Sequence, residues 1–325
     1  MNSTHQEAPA LQMEDLRVAF SGPTGPSEVV RGVSLEIARG ERVAVVGESG
    51  SGKTMMGLSM LGLVPDQARV SGRVLVGGID MVASSPATLR RMRGGAVSMV
   101  FQDALSALNP VRTIGSQLTE SVLRHNNTTR RAARDRVLEV LDAVGVPAPS
   151  ERFSAHPHQL SGGLRQRAMI ALALVNSPLL VIADEPTTAL DATIQAQVLD
   201  VLRSGLSGAA LLLITHDLAV AARVCDRVNV VYAGRVVEHG PVEELLHRPR
   251  HPYTHGLIGA VPRFDPARAD LRPIPGAPPA PGEGGDGCWF APRCEFAQED
   301  CRTLDPVLSE QNPVACWHPQ EGVPA

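Results

Sequence analysis

Short apolar runs separated by turn residues set the rhythm of the first third of the chain. Leu16 to Phe20, Val33 to Ile37 and Arg42 to Val46 read as strands, with Arg39-Gly40 as the turn between the last two. The third runs into a Gly/Ser loop and then an apolar stretch, Met55 to Leu63, that suits a helix; Val97 to Phe101 is a further short apolar run. From Thr113 to Val144 the pattern turns helical. Ala133, Val137, Val140, Leu141 and Val144 recur at i, i+4, i+7, i+8 and i+11, with Gly145 as a stop. Leu164 to Val175 and Ala192 to Leu202 read as further helices. Leu179 to Ala183 and Ala210 to Ile214 are continuous apolar runs, the pattern of strands covered on both faces of a parallel sheet. Alternation of such strands and helices implies an α/β sheet.

Composition narrows the picture. A chain of 325 residues accommodates one large α/β domain and a smaller appendage. A hydrophobic content of 43% supports a core, and a net charge of −4 offers no basic field for nucleic acid, so none is expected as a partner. The apolar stretches are far shorter than the roughly 18 residues of a membrane span, and the first thirty residues lack a signal-peptide pattern. The expectation is a chain soluble by itself, whose membrane role would come through partners. After about Pro249 the character changes. Ten of the fifteen residues from Pro273 to Gly287 are Pro or Gly, which reads as a linker or extended wrap, and a cysteine cluster follows.

Two elements carry chemistry. Gly47-Glu48-Ser49-Gly50-Ser51-Gly52-Lys53-Thr54 matches G-x-x-x-x-G-K-[ST], with a predicted strand before it and a helix after it. Such a loop curls its N–H groups around a phosphate at the positive end of a helix. Lys53 would meet the β- and γ-phosphates and Thr54 would offer its hydroxyl to Mg²⁺. Lys53 is the only lysine among thirty basic residues. A drift toward arginine explains the bias, but not why the exception sits where a compact ammonium differs from a guanidinium fork. The second element, Leu179 to Glu185, is an apolar strand ending in two acids. Asp184 suits Mg²⁺, and Glu185 could orient or deprotonate an attacking water.

These residues sit within a larger resemblance, covering roughly residues 12 to 320. Leu160-Ser161-Gly162-Gly163-Leu164-Arg165-Gln166-Arg167 resembles the ABC signature LSGGQ, with Leu164 where Gln is commoner. Gln102, in Phe101-Gln102-Asp103, resembles the Q-loop; Ala189-Leu190-Asp191 resembles the D-loop; His216, in Ile214-Thr215-His216-Asp217, resembles the switch histidine. Phe20 stands where the family stacks an aromatic on adenine, although an ordinary strand-end Phe reads equally well. Phe101 to Pro110 is similar to FQDPxxxLNP, with Ala104 for the usual Pro, and His251-Pro252-Tyr253-Thr254, followed by Leu257 and Pro262, is similar to the HPYT element of D-type ATPases of dipeptide and oligopeptide importers.

The resemblance implies an ABC ATPase fold: a RecA-like parallel sheet core with antiparallel β and helical subdomains, plus a small cysteine-containing C-terminal extension. It implies an ATPase domain over residues 1–262, with a helical subdomain inserted at about 104–175, and the extension over 263–325. It implies ATP hydrolysis with Mg²⁺ held by Thr54, Gln102 and Asp184, catalysis by Lys53, Gln102, Glu185 and His216, and contacts from Ser161, Gly162, Gly163 and Asp191 of this chain to the nucleotide held by a partner ATPase. That partner is expected to be a paralogue. Two permease subunits and an extracytoplasmic solute-binding protein would complete an importer, with this chain peripheral at the cytoplasmic face of the cell membrane. Nickel and metallophore importers share the features, and a non-transport ABC ATPase is the remaining alternative.

Cys288, Cys294, Cys301 and Cys316 are separated by five, six and fourteen residues, unlike the paired spacing of a zinc ribbon. Four thiolates suit a [4Fe–4S] cluster or Zn²⁺, and four reduced thiols in a packed tail are the plain alternative. Similar tails in the D-type family imply the iron–sulfur cluster, as a staple for a Pro-rich module poor in apolar residues.

Overall fold

The computed structural model describes residues 8–22, 25–103, 107–188, 190–206, 208–260, 273–309 and 312–320. Two sheets organise them. Strands Leu11–Gly22 (β1), Gly25–Ile37 (β2), Ala68–Val76 (β4) and Ile79–Asp80 (β5) form an antiparallel sheet of order β2-β1-β4-β5. Arg42–Val46 (β3), Val97–Val100 (β6), Leu180–Asp184 (β7), Ala210–Thr215 (β8), Arg227–Tyr232 (β9) and Arg235–Pro241 (β10) form the second, of order β10-β9-β3-β8-β7-β6. Its pairings are parallel except at β10, which returns antiparallel along β9. Arg39-Gly40 is a turn as expected, but the strands it joins lie in different sheets.

The continuous apolar character of the central strands follows from their two covered faces. Val43, Val45, Leu180, Ile182, Leu212 and Ile214 pack with the antiparallel sheet and with Met56 and Met60 of helix Lys53–Met60 (α1). Their neighbours Ala44, Val46, Val181, Ala183, Leu211 and Leu213 point the other way, into a larger core. Period-two alternation assigns each strand residue to one of these cores. The short helix Pro86–Met92 (α2) precedes β6.

Helices Ile114–His125 (α3), Arg130–Ala143 (α4) and Gly162–Leu174 (α6) build the larger core with Ala192–Ser204 (α7) and Leu218–Val224 (α8), while the short helix Pro149–Arg152 (α5) buries none of its own residues. The helical stretch expected from Thr113 to Val144 is two helices. Asn126 to Thr129 are weak helix formers, and Thr129 starts afresh as an N-cap whose hydroxyl accepts from the Ala132 N–H at 3.2 Å. Ala133, Val137, Val140, Leu141 and Val144 are all buried, as their spacing predicts. Strands β4, β5, β9 and β10 were not anticipated: β4 is interrupted by Gly72 and polar residues, and β9 carries Arg227 and Asn229 among its valines.

No helix among the described residues is long and apolar enough to cross a membrane. The expected boundary at residues 262 and 263, with Pro262, lies outside the described residues. After Val242–His247 (α9) and Pro252–Gly259 (α10), residues 273–320 carry little regular structure beyond the 3₁₀ turn Ala291–Arg293 and the short helix Asp300–Thr303 (α11). They are fastened to the sheets by polar contacts. The Ala315 N–H donates to the Val237 carbonyl at 2.8 Å, and the His239 N–H to the Pro313 carbonyl at 3.1 Å. Asp305 bridges Arg31 (3.2 Å) and Arg235 (2.5 Å), while the Arg31 guanidinium lies 3.4 Å from the Trp289 ring centre.

The start of α10 is set by a buried polar knot. Glu238 accepts from the N–H groups of Arg250 (2.8 Å) and His251 (3.1 Å). His251 caps the helix, its Nδ1 accepting from the Tyr253 N–H at 3.0 Å, and burial pushes its pKa down to about 4. The folded state therefore resists a proton that the unfolded chain takes up near pH 6.5. The associated stability is present above that value and is lost as pH falls toward about 4. Between these limits the wild type should lose about 3 kcal/mol from this group. His251→Asn, which can still cap, should lose that part of the pH dependence, as read by urea unfolding at neutral and acidic pH.

Candidate functional site

Strand β3 ends at Val46, and the chain turns through Gly47–Gly52 into α1. Gly52 adopts φ +95°, and a Cβ there would stand 2.2 Å from the Val29 carbonyl oxygen, so no other residue fits. Because Gly52 provides no side-chain cap, the first N–H groups of α1 are open to an anion. Lys53 is 7% exposed, and its ammonium folds back over the loop. It donates to the carbonyls of Gly47 (2.7 Å) and Glu48 (2.8 Å) and to Ser51 Oγ (3.2 Å). Burial lowers its pKa, against the opposing pull of Glu185, Asp184 and Glu48.

The end of β7 brings the acids alongside. Asp184 is buried, and Thr54 Oγ1 donates to its Oδ1 at 3.4 Å. Burial raises the Asp184 carboxyl pKa, with Glu185 adding to it and Thr54 and Lys53 opposing. Glu185 sits at φ +48°, a left-handed conformation for a residue with a side chain, at the point where the chain leaves the sheet. Its N–H is held by the Ile214 carbonyl at 2.9 Å. Its carboxylate takes the Thr188 hydroxyl at 3.0 Å and stands 2.8 and 2.9 Å from His216 Nδ1. The ends of β3, β7 and β8 thus bring together an ammonium, a hydroxyl beside a buried carboxylate, and a carboxylate–imidazole pair. Groups of these kinds suit a polyanion with a divalent cation.

The other expected residues fall in three groups. Phe20, half-buried near the end of β1, pairs in register with Ser27 and Ala68. Gln102 is exposed just beyond the end of β6; residues 104–106 and Ala189 lie outside the described residues. Ser161 caps α6, its Oγ accepting from the Leu164 N–H at 3.4 Å, and Gly162 has open space where a Cβ would stand. Gly163 packs on α7, with Ile194 Cγ2 only 2.7 Å from where a Cβ would be. Gln166 Nε2 donates to the Pro186 carbonyl at 2.5 Å, tying this helix to the segment after Glu185. Asp191 caps α7, accepting from Thr193 (3.1 Å) and Ile194 (3.0 Å). Among the described residues, Ser161 and Asp191 make no hydrogen bond to the phosphate loop.

Sequence reasoning missed two residues. Arg293 forms a bidentate ion pair with Glu48, and the Tyr253 hydroxyl accepts from the Glu48 N–H. Tyr253 lies in an element that the pattern singled out, but nothing in its spacing points to the loop two hundred residues earlier. Arg293 carries no local signal at all.

Cys288, Cys294, Cys301 and Cys316 line one cavity with His251, Phe290 and Trp317. Burial pushes Cys288 and Cys316 up to about 11, and Cys294 upward as well, so these thiols hold their protons unless a cation draws them off. No three of the four sulfurs lie within 4.8 Å of one another, whereas a single four-thiolate zinc holds its sulfurs about 3.8 Å apart. Asp300, Cys301 and His318 do bring ligand atoms within 4.8 Å, and His318 Nε2 stands 2.9 Å from Asp300 Oδ1. That grouping was not foreseen.

Comparison with known proteins agrees with this geometry. Residues 30–188 match the family described as ABC transporter, and residues 237–301 match the oligopeptide/dipeptide transporter, C-terminal region. The oligopeptide transport ATP-binding protein OppD of Mycobacterium tuberculosis is 48% identical over 305 residues, 93% of this chain; the chain spans only 50% of that protein's length. The dipeptide transport ATP-binding protein DppD of Bacillus subtilis is 45% identical over 314 residues, 94% of each chain. The dimeric post-hydrolysis structure of the ATP-binding cassette MJ0796, bound to ADP and Pi, superposes with a TM-score of 0.63 at 26% identity, covering 71% of this chain and 98% of that one. A phosphate loop joined to a carboxylate–histidine pair, on a sheet shared with solved cassettes and in a sequence nearly half identical to DppD, places this chain in the ABC transporter family, among its oligopeptide and dipeptide ATP-binding proteins.

Proposed function

We propose that this chain binds and hydrolyses ATP as a subunit of an ABC importer, driving uptake of di- or oligopeptides through a partner permease. The observation that carries the reading is the convergence of Lys53, Thr54, Asp184, Glu185 and His216 at neighbouring strand ends, beside a helix N-terminus that lacks a side-chain cap. The C-terminal match to oligopeptide and dipeptide transporters supports the peptide. The division into an ATPase domain to residue 262, with the helical subdomain inserted, and a C-terminal extension is part of the same proposal.

The triphosphate lies along the loop, with Lys53 turning from its carbonyl partners to the β- and γ-phosphates. Thr54 and Asp184 offer hard oxygen donors 3.4 Å apart, which suits Mg²⁺, and Gln102 completes that set. Mg²⁺ held by these residues would supply positive charge to offset that of the phosphates. Phe20 stacks on the base. Glu185 takes the proton of the attacking water, and His216, hydrogen-bonded to that carboxylate, orients it and faces the γ-phosphate. Ser161, Gly162, Gly163 and Asp191 serve the nucleotide of a paralogous partner cassette, which accounts for their lack of any bond to their own loop. Two permease subunits and an extracytoplasmic binding protein complete the transporter, with this chain on the cytoplasmic face of the membrane. The segment from Gln102 through Thr113, which carries the exposed Val111, would meet the permease.

Cys288, Cys294, Cys301 and Cys316 hold a [4Fe–4S] cluster that staples the extension. Their place together in the lining of one cavity, and thiols that burial keeps protonated without a cation, support it.

Two measurements test these roles. Glu185→Gln should still bind ATP while turnover falls about 10²–10⁴-fold, whereas Lys53→Ala should lose tight nucleotide binding; normal turnover in the first, or unchanged affinity in the second, removes the assigned role. Anaerobically purified chain should be brown and carry iron with acid-labile sulfide, and Cys301→Ser should lose both. Zinc in place of iron, or neither, rejects the cluster.

A further inference from the structure

Glu48, the residue after the first glycine of the phosphate loop, is gripped at three points. Its carbonyl accepts from Lys53 Nζ at 2.8 Å, its N–H donates to the Tyr253 hydroxyl at 2.8 Å, and its carboxylate is held by Arg293. Arg293 Nη1 stands 2.7 Å from Oε2 and Nη2 3.0 Å from Oε1, a guanidinium fork on both oxygens. The Arg293 side chain is only 5% exposed, against 27% for Glu48. It is itself held, with Nε donating to the Pro275 carbonyl at 2.8 Å. The Tyr253 ring is fully buried, with its centre 4.6 Å from Tyr232 and 5.5 Å from Phe290. Two of the three grips therefore come from residues after the last strand, and both are rigidly mounted.

A carboxylate beside a phosphate cradle is an electrostatic liability. Unpaired, it would repel a triphosphate and compete for the Lys53 ammonium, whose charge already feels it. A fork on both oxygens neutralises the carboxylate and holds it turned away, which a lysine could not do with the same geometry. We propose that Arg293 is a positioning residue of the nucleotide site: it cancels the charge of Glu48 and, with Tyr253, fixes the first turn of the loop in its phosphate-receiving form. The C-terminal extension is then a working part of nucleotide binding. This rests on the loop being a triphosphate site, as proposed above.

The experiment is a fluorescence titration of the full chain with mant-ATP, alongside ATPase kinetics. Arg293→Met should weaken binding about tenfold and raise KM by a similar factor, with a much smaller change in kcat because Glu185 and His216 are untouched. Adding Glu48→Gln to Arg293→Met should recover most of the affinity, since the unpaired carboxylate is gone; that non-additive cycle would not arise from a merely structural role. Arg293→Lys should fall between wild type and Arg293→Met. Tyr253→Phe, which keeps the packing and removes only the hydroxyl, should weaken binding by a smaller factor. Should Arg293→Met fail to fold, Arg293→Lys and Tyr253→Phe carry the test. Wild-type affinity in every variant that folds overturns the inference, and so does a loss in Arg293→Met that Glu48→Gln does not relieve. A wild-type chain that does not bind mant-ATP at all overturns the underlying reading of the site instead.

Discussion

The Lys53 ammonium is the interaction around which the rest is arranged. A charge this deeply buried is costly unless polar groups surround it, and here two loop carbonyls and a serine hydroxyl do so. To present those carbonyls the loop must curl tightly, which requires Gly52 at positive φ against the Val29 carbonyl. That in turn fixes α1 under the sheet, where Met56 and Met60 fill one core. The electrostatics of one side chain and the packing of the antiparallel sheet are thus parts of the same constraint.

The parallel sheet converts this loop into a site. Register places β3 beside β8 and β8 beside β7, so that the end of β3 lies side by side with the ends of two strands that follow it by more than a hundred residues. Phosphate loop, acids and histidine each follow the C-terminal end of one of these strands, the usual position for ligands in an open α/β sheet. The positive φ of Glu185 and its bond to the Ile214 carbonyl hold the carboxylate at that edge, facing His216.

The region after β10 behaves as a second support. Past α10, its described residues have little secondary structure of their own, yet they add an extended segment along β10, bridge Arg31 and Arg235 through Asp305, and stack Trp289 on Arg31. Its aromatic contacts with Tyr232 lead to the phosphate loop through Tyr253 and Arg293. Such a segment is shaped mainly by what it is attached to, and the Pro- and Gly-rich stretch from Pro273 to Gly287 suits that role.

Local pattern and spacing were enough to place the phosphate loop, the apolar strand that ends in Asp184 and Glu185, the helix opened by Ser161, and the α/β alternation. These depend on neighbours within a few residues: a glycine's freedom, a helix cap, a run of buried side chains. The split of one helical stretch at Asn126 to Thr129 and the strands β4, β5, β9 and β10 were hidden, because their sequences mix polar and apolar residues and become strands only when paired. The fork between Arg293 and Glu48, the Tyr253 hydroxyl on the Glu48 amide and the approach of His216 to Glu185 belong to tertiary structure alone. Each joins residues distant in the chain, and what brings them within about 3 Å is the order of strands in the sheet and the path of the segments between them, which local pattern and spacing do not encode.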